Sequence, residues 1–152
     1  MTVETIATRL ARIWGDITGI TKAFDLDEIP NTLQSAQLPA VICVPGEAEY
    51  ANVGSDTEQE TRTWYMLLYI APVNRPVGVA QRMGRASPFF SRVRAAFAAR
   101  DGLESLSGVL ESELLSDSGT TQPLQFGGDL YTGIEFRLRT VELANITRVD
   151  YA

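Results

Sequence analysis

Histidine is absent from this chain of 152 residues. Its absence excludes Ser-His and Cys-His catalysis, most zinc sites and the usual general base at neutral pH. Phosphate-binding motifs are missing as well, since neither a P-loop nor a Gly-x-Gly-x-x-Gly run after a strand occurs. We therefore expect that the chain is not an enzyme and that it binds no cofactor and no metal ion.

Cysteine and long apolar runs are scarce too. Cys43 is the only cysteine, and its position between Ile42 and Val44 predicts a buried, unreactive side chain. A chain without an internal disulfide is typical of a reducing compartment. No apolar run approaches the roughly 20 residues that span a bilayer, and the first residues lack the pattern of a signal peptide. We expect no membrane partner.

Positive charge is in deficit, with 13 Lys and Arg against 19 Asp and Glu, a net charge of −6. This balance argues against general nucleic-acid binding, which needs a basic surface. The charges are also segregated, because every charged residue from Arg75 to Arg100 is an arginine and acidic segments lie on both sides. The rigid guanidinium fork suits interfaces. The alternative is a solvated helix face with scattered acids nearby.

Three early segments have clear secondary-structure patterns. Apolar residues recur at every third or fourth position in residues 3–17, which predicts an amphipathic helix. Residues 40–44 and 61–71 are β-prone runs that predict two strands. Proline cannot donate to a sheet ladder, so Pro39 and Pro45 are expected to mark the ends of the first strand.

The segment between the two predicted strands is acidic. We predict a long hairpin connection over residues 46–60, with strand character near Ala48–Ala51. Glu47 and Glu49 would share one face of such a strand. Paired carboxylates can perform acid–base chemistry, although carboxylates on a loop after Pro-Gly are more often simply solvated.

The predicted strand 61–71 is apolar on both faces and should therefore be covered on both sides. The chain's own helices are candidates for one cover, and a neighbouring subunit is a candidate for the other. The two faces consist of Trp64, Met66, Leu68 and Ile70 and of Tyr65, Leu67 and Tyr69.

The second half of the chain predicts a helix and another strand. Residues 77–100 read as helix, and Ser87-Pro88 marks either a kink in one helix or the junction of two. Residues 130–143 alternate between apolar and polar side chains, which predicts a strand with one face in the core. On its polar face, Arg137 and Arg139 would bind a phosphate backbone or pair with acids of an adjacent strand or subunit. The predicted apolar stripe of the helix is Val79, Met83, Ala86, Phe90, Val93 and Phe97.

These elements predict an α+β fold, with an N-terminal helix and a central kinked or split helix packed on a mainly antiparallel sheet. We expect a single domain over residues 1–152, in which residues 144–152 are a C-terminal tail without periodicity.

The order of the local motifs is familiar. An amphipathic helix precedes Leu-Pro-Ala-Val-Ile-Cys-Val at 38–44, which runs into Gly-Glu-Ala-Glu-Tyr at 46–50. An acidic spacer, the aromatic strand 62–70, a helix and a strand opened by Tyr131-x-Gly133 follow. In this layout the chain resembles the tail-terminator (tail-completion) proteins of long-tailed bacteriophages over nearly its whole length.

The resemblance implies a structural virion protein, assembled in the host cytoplasm, that forms a ring, usually a hexamer. The ring would lie at the head-proximal end of the tail tube, end tube polymerisation and join the tail to the neck of the head. Its partners would be other copies of itself, the major tail-tube protein and a neck protein, with DNA only passing through the lumen. Another head–tail connector or neck completion protein is the alternative, and a small ligand-binding domain or enzyme is the alternative of a different class.

A ring requires two different surfaces of one protomer that fit each other. The arginine-only segment and the acidic segments are the candidates for these surfaces, and the polar face of the last strand is a further one. The candidate interface residues are Arg75, Arg82, Arg85, Arg92, Glu47, Glu49, Asp56, Glu58, Arg137 and Arg139.

Overall fold

A computed structural model describes residues 3–73 and 79–145 of the chain. The described helices are α1 (Val3–Gly15) and α2 (Val79–Ala98), with single 3-10 turns at Leu26–Glu28 and Ser35–Gln37 and a left-handed turn at Gly102–Ser105. The described strands are β1 (Lys22–Phe24), β2 (Ala40–Asn52), β3 (Thr57–Pro72), β4 (Val109–Asp117), β5 (Leu124–Phe126) and β6 (Asp129–Asn145).

The six strands form one sheet in the order β1-β2-β3-β6-β4, and β5 pairs with β6. Only the pairing of β1 with β2 is parallel, and the other pairings are antiparallel. The α+β class and the mainly antiparallel sheet predicted from the sequence are therefore confirmed. Strand β6 continues to Asn145, beyond the predicted end at residue 143, and residues 146–152 lie outside the described residues.

Both helices contribute to a hydrophobic core on one face of the sheet. Trp14 of α1 lies at its centre, with its ring 5.6 Å from that of Phe136 and its Nε1 donating to the Met66 sulfur at 3.2 Å. Each fully buried side chain of this size contributes about 1.5–3 kcal/mol. The core also includes Ile6, Leu10, Ile13, Trp64, Leu68, Phe89, Val93, Phe97, Ile134 and Leu138.

The opposite face of β3 is covered by the chain itself at one end. Tyr69 is buried, and its ring lies 5.5 Å from the rings of Phe126 and Tyr131. Leu67 packs against the same cluster. The prediction that a neighbouring subunit covers this face is therefore wrong for the Tyr69 end, because Ile29, Leu33 and Leu38 of the chain itself pack against this cluster. Tyr65, at the other end, stays partly exposed.

Helix α2 runs through Pro88 as one helix, so the alternative of two abutting helices is excluded. Its predicted apolar stripe needs a correction. Met83 is 52% exposed, and Phe89 is buried although it was not assigned to the stripe. The core-facing line of the helix runs through Ala86, Phe89 and Val93, and its continuation toward the N-terminus passes through Arg82, which is partly buried.

The predicted strand character near Ala48–Ala51 is confirmed, but the segment 46–60 is not a long connection. Strands β2 and β3 continue as a ladder up to the pair Asn52 and Glu58, and the connecting turn is residues 53–56. Pro45 therefore does not end the first strand. It pairs with Trp64 of β3, and the register shift between Pro45 and Ala48 absorbs the irregularity. On the other side, β1 reaches only to Ile42, so a missing N–H there interrupts no described pairing.

Candidate interaction surface

Residues 46–62 form a hairpin arm, which we call the arm. Its β3 side pairs with β6 up to Asn145, but no described strand pairs with β2 on its other side beyond Ile42. The arm therefore has one free edge, and every residue from 49 to 56 is exposed.

One arginine and one tyrosine anchor the base of the arm. The Arg62 guanidinium donates to the Gly46 carbonyl at 2.8 Å and to the Glu60 carboxylate at 2.9 Å. The Tyr65 ring lies against Gly46 so closely that a Cβ there would come within 2.3 Å of a ring carbon. Only glycine fits this position.

The acids of the arm fall into two groups. Glu60 binds Arg62, and Glu47 accepts from the Tyr65 hydroxyl at 2.9 Å. A backbone N–H and then this hydroxyl hold the pKa of Glu47 below its ordinary value. The other acids, Glu49, Asp56 and Glu58, form no ion pair with any described residue. The outer part of the arm, residues 49–58, which we call the outer arm, thus presents these unpaired carboxylates next to Tyr50 and Val53, which are 59% and 53% exposed.

The positively charged side chains divide more sharply than the acids into ion-paired and unpaired groups. In residues 3–73 and 79–145, every lysine and arginine outside α2 is ion-paired with a carboxylate. These paired residues are Arg9, Arg12, Lys22, Arg62, Arg100, Arg137 and Arg139.

The four arginines inside α2 have no carboxylate partner among the described residues. The helix contains no acid, so no pairing along its own surface is available. Arg92 donates to the Thr18 carbonyl at 3.0 Å and lies over the Phe89 ring. Arg82, Arg85 and Arg94 have no hydrogen-bond or ion-pair partner in the part of the chain that the structure describes.

Arg82 lines an open cleft of about 350 Å³ beside the first turns of α2. Because Arg82 continues the core-facing line of the helix, its side chain turns toward the sheet and is partly buried. The remaining described lining residues are Val73, Met83, Thr120, Thr121, Pro123 and Thr132. We call this space the Arg82 cleft. A second cleft of about 370 Å³ is lined by Arg85 together with Pro39 and Ile70.

The structure divides the interface residues predicted from the sequence. Arg139 binds Glu111 and Glu113 of the adjacent strand, which confirms one of the two alternatives for the polar face. Arg137 binds Glu135 and lies 5.5 Å over the Tyr65 ring. Both arginines are thus engaged within the chain. Arg75 lies outside the described residues.

Sequence reasoning missed the apolar and hydroxyl parts of these surfaces. The helical spacing predicts Met83 in the apolar stripe, and nothing in the sequence around Tyr50 predicts an interface. The threonines at 120 and 121 belong to a segment without periodicity, so no local pattern could have placed them beside α2. A helical wheel fixed on Phe89 instead of Phe90 would have turned Arg82 inward.

Two further groups could suggest chemistry. The carboxylates of Asp25, Asp27 and Glu28 lie within 4.8 Å of one another, as cation ligands would. Asp25, however, accepts from the Leu26 N–H and from Thr8, and Glu28 binds Lys22. Cys43 is buried, which confirms that part of its prediction, and burial raises the pKa of its thiol well above the ordinary range.

Comparisons with known proteins leave the assignment to the structure and the sequence. No protein-family model matches the chain, and no curated protein is significantly similar to it. Neither of the described helices has the length and apolar content that crossing a membrane would require.

Proposed function

We propose that this chain is a structural protein of a phage virion that forms a ring, most simply a hexamer, at the head-proximal end of the tail tube. The ring would stop polymerisation of the tube and join the tail to the neck of the head. It would act by assembly, and its partners would be other copies of itself, the tube protein and a neck protein.

The observation that carries this proposal is the distribution of unpaired charge. Within the described residues, the arginines of α2 alone among the cations lack a carboxylate, while the outer arm carries three carboxylates without a cation. Two complementary surfaces on different elements of one protomer are what a head-to-tail ring needs. The order of the sequence motifs supplies the phage context.

Sedimentation velocity of the purified chain tests the ring. A hexamer of 16.7-kDa chains has a mass of about 100 kDa. We expect this species at micromolar protein, and we expect it to dissociate as salt is raised, because ion pairs at a protein surface are screened. A monomer at every concentration, with and without assembled tail tubes, would contradict the proposal.

Electron microscopy of polymerising tube protein tests the role at the tube end. Adding the chain should shorten the tubes in proportion to its concentration and leave a density cap at one end. Tubes of unchanged length, with the ring bound only to isolated neck protein, would favour the alternative of a neck completion protein.

A further inference from the structure

We infer that the arm of one copy docks in the Arg82 cleft of the next copy, with a carboxylate of the arm binding Arg82 and its apolar residues packing on Met83. This inference rests on the proposed ring and specifies the contact that builds it.

Arg82 is the central residue on the cleft side of this contact. Its side chain is partly buried in a cleft that contains no carboxylate among the described lining residues. A guanidinium that has lost part of its hydration without gaining an ionic partner is unfavourable. A carboxylate entering the cleft would form charge-assisted hydrogen bonds with the guanidinium, and the hydroxyls of Thr120, Thr121 and Thr132 line the same space as further donors.

The arm is suited to supply that carboxylate. Its ladder extends over five residue pairs from Ala48 and Arg62 to Asn52 and Glu58, roughly 15 Å of strand. Asp56 lies in the turn at its end, and Glu49 and Glu58 lie on its strands. None of the three is bound to a described cation.

Apolar side chains match as well. Tyr50 and Val53 are more than half exposed on the arm, and Met83 is 52% exposed at the rim of the cleft. Tyrosine, methionine and arginine are the residues that interfaces favour. The two surfaces therefore combine opposite charges with exposed apolar groups.

One copy cannot make this contact with itself. Strand β3 begins at Thr57, next to the turn of the arm, and ends at Pro72, next to the Val73 that lines the cleft. A strand of 16 residues spans roughly 50 Å. The arm and the cleft therefore lie at opposite ends of β3, and their association must join two copies. Repeated head-to-tail, this contact closes into a ring, whereas a reciprocal exchange of arms would stop at a dimer, and sedimentation distinguishes the two.

Disulfide trapping tests the contact directly. Cys43 is buried, so an introduced cysteine has no native competitor at the surface. We would place one cysteine in the turn of the arm (Ser55→Cys) and one at the cleft (Met83→Cys), both at exposed positions. A mixture of the two variants under mild oxidation should give at least tenfold more cross-linked dimer than either variant alone.

The matched control for trapping is Ala95→Cys, an exposed position on the same helix but three turns from Met83. It should cross-link poorly to Ser55→Cys. Equal yields at residues 83 and 95 would overturn the inference, because they would indicate random collision instead of docking.

Charge reversal provides the second test. Arg82→Glu should weaken assembly at least tenfold, and Asp56→Arg or Glu58→Arg in the same chain should restore part of the loss. Arg94→Glu, a reversal on the same helix outside the Arg82 cleft, should have little effect. Circular dichroism of each variant at low protein concentration separates loss of folding from loss of assembly.

The outcomes distinguish the two proposals. A wild-type chain that never assembles contradicts the proposed ring. A wild-type ring that persists in Arg82→Glu and shows no cross-link between residues 55 and 83 contradicts only the docking of the arm in the cleft.

Discussion

Two groups of arginines differ in whether a carboxylate of the same chain binds them. Arg9 and Arg12 of α1 and Arg100, which follows α2, surround the single carboxylate of Glu104 in the turn Gly102–Ser105. The arginines along α2 itself have no carboxylate among the described residues. The difference shows which charges hold the protomer together and which are available to another molecule.

The Glu104 group anchors an unusual turn. Gly102, Leu103, Glu104 and Ser105 all have positive φ, between 55° and 65°, and three of them are not glycine. Such residues cost about 1–2 kcal/mol each. Arg9 donates to the Leu103 carbonyl at 2.9 Å, and the Leu103 side chain is fully buried. Ion pairs and burial thus hold a conformation that the backbone alone would not adopt.

The arm repeats the same contrast within one hairpin. Its base is anchored by Arg62, Glu60 and Tyr65, and its outer part carries unpaired acids. If anchored groups stabilise the protomer and free groups serve assembly, the two kinds of substitution should have different effects. Those at anchored groups should lower the free energy of unfolding, and those at free groups should weaken assembly.

Gly46→Ala should have the largest effect on stability. The added Cβ would lie 2.3 Å from the Tyr65 ring and 2.8 Å from the Thr63 carbonyl oxygen, and backbone cannot yield easily. We expect a loss of about 2–3 kcal/mol in the free energy of unfolding, measured by urea denaturation. Gly84→Ala is the matched control, since nothing lies within 4 Å of the Cβ it would add. Equal stability of the two variants would show that the base of the arm is not packed as described.

Glu104→Gln should have the next largest effect. Removing the carboxylate leaves the three arginines without their shared partner and weakens the support of the left-handed turn. We expect a loss of about 1–2 kcal/mol, reduced by the partial exposure of the group. High salt should shrink the difference from the wild type. An unchanged urea midpoint would mean that burial of Leu103 alone holds the turn.

Glu142→Gln should stabilise the protein. Glu142 is buried directly across the ladder from Glu60, and first burial and then this neighbour raise the pKa of Glu142 above its ordinary value of 4.5. The stabilising effect of the protonated acid is present below that value and is lost as the pH rises through the raised pKa. The glutamine variant should therefore gain about 0.5–1 kcal/mol over the wild type at pH 7 and less at pH 4. A gain that does not depend on pH would exclude the carboxylate as its cause.

The sequence allowed the types of the main elements to be predicted, because the periods of α1, β3 and β6 are regular. It predicted a hairpin with strand character near Ala48–Ala51 but not that β2 continues unbroken into it, since Pro45 and Gly46 are ordinary signs of a strand end. What permits the strand to continue is tertiary: β1 is too short to reach Pro45, and Tyr65 occupies the space that a side chain at residue 46 would need.

The sequence predicted which types of residue make up the candidate surfaces but not which of their charges are paired. The arginine-only segment is visible in the sequence. Which arginines form ion pairs is not, because Arg100 and Arg139 each bind glutamates that the fold brings near, whereas no described acid is paired with Arg82. Those distances join residues that lie far apart in the chain. No local pattern carries this information.

Replacing the free arginines of α2 should have the smallest effect on the protomer. Arg82→Gln, Arg85→Gln and Arg94→Gln should each change the free energy of unfolding by less than about 0.5 kcal/mol, because none breaks a contact within the described chain. Fluorescence of the buried Trp14 and Trp64 during urea denaturation of the dilute protein measures this change. A loss above about 1 kcal/mol in any of them would mean that the arginine is bound within its own chain. A normal urea midpoint combined with impaired assembly, seen for Arg82→Gln but not for Arg94→Gln, would separate charges that serve the partner from charges that serve the fold.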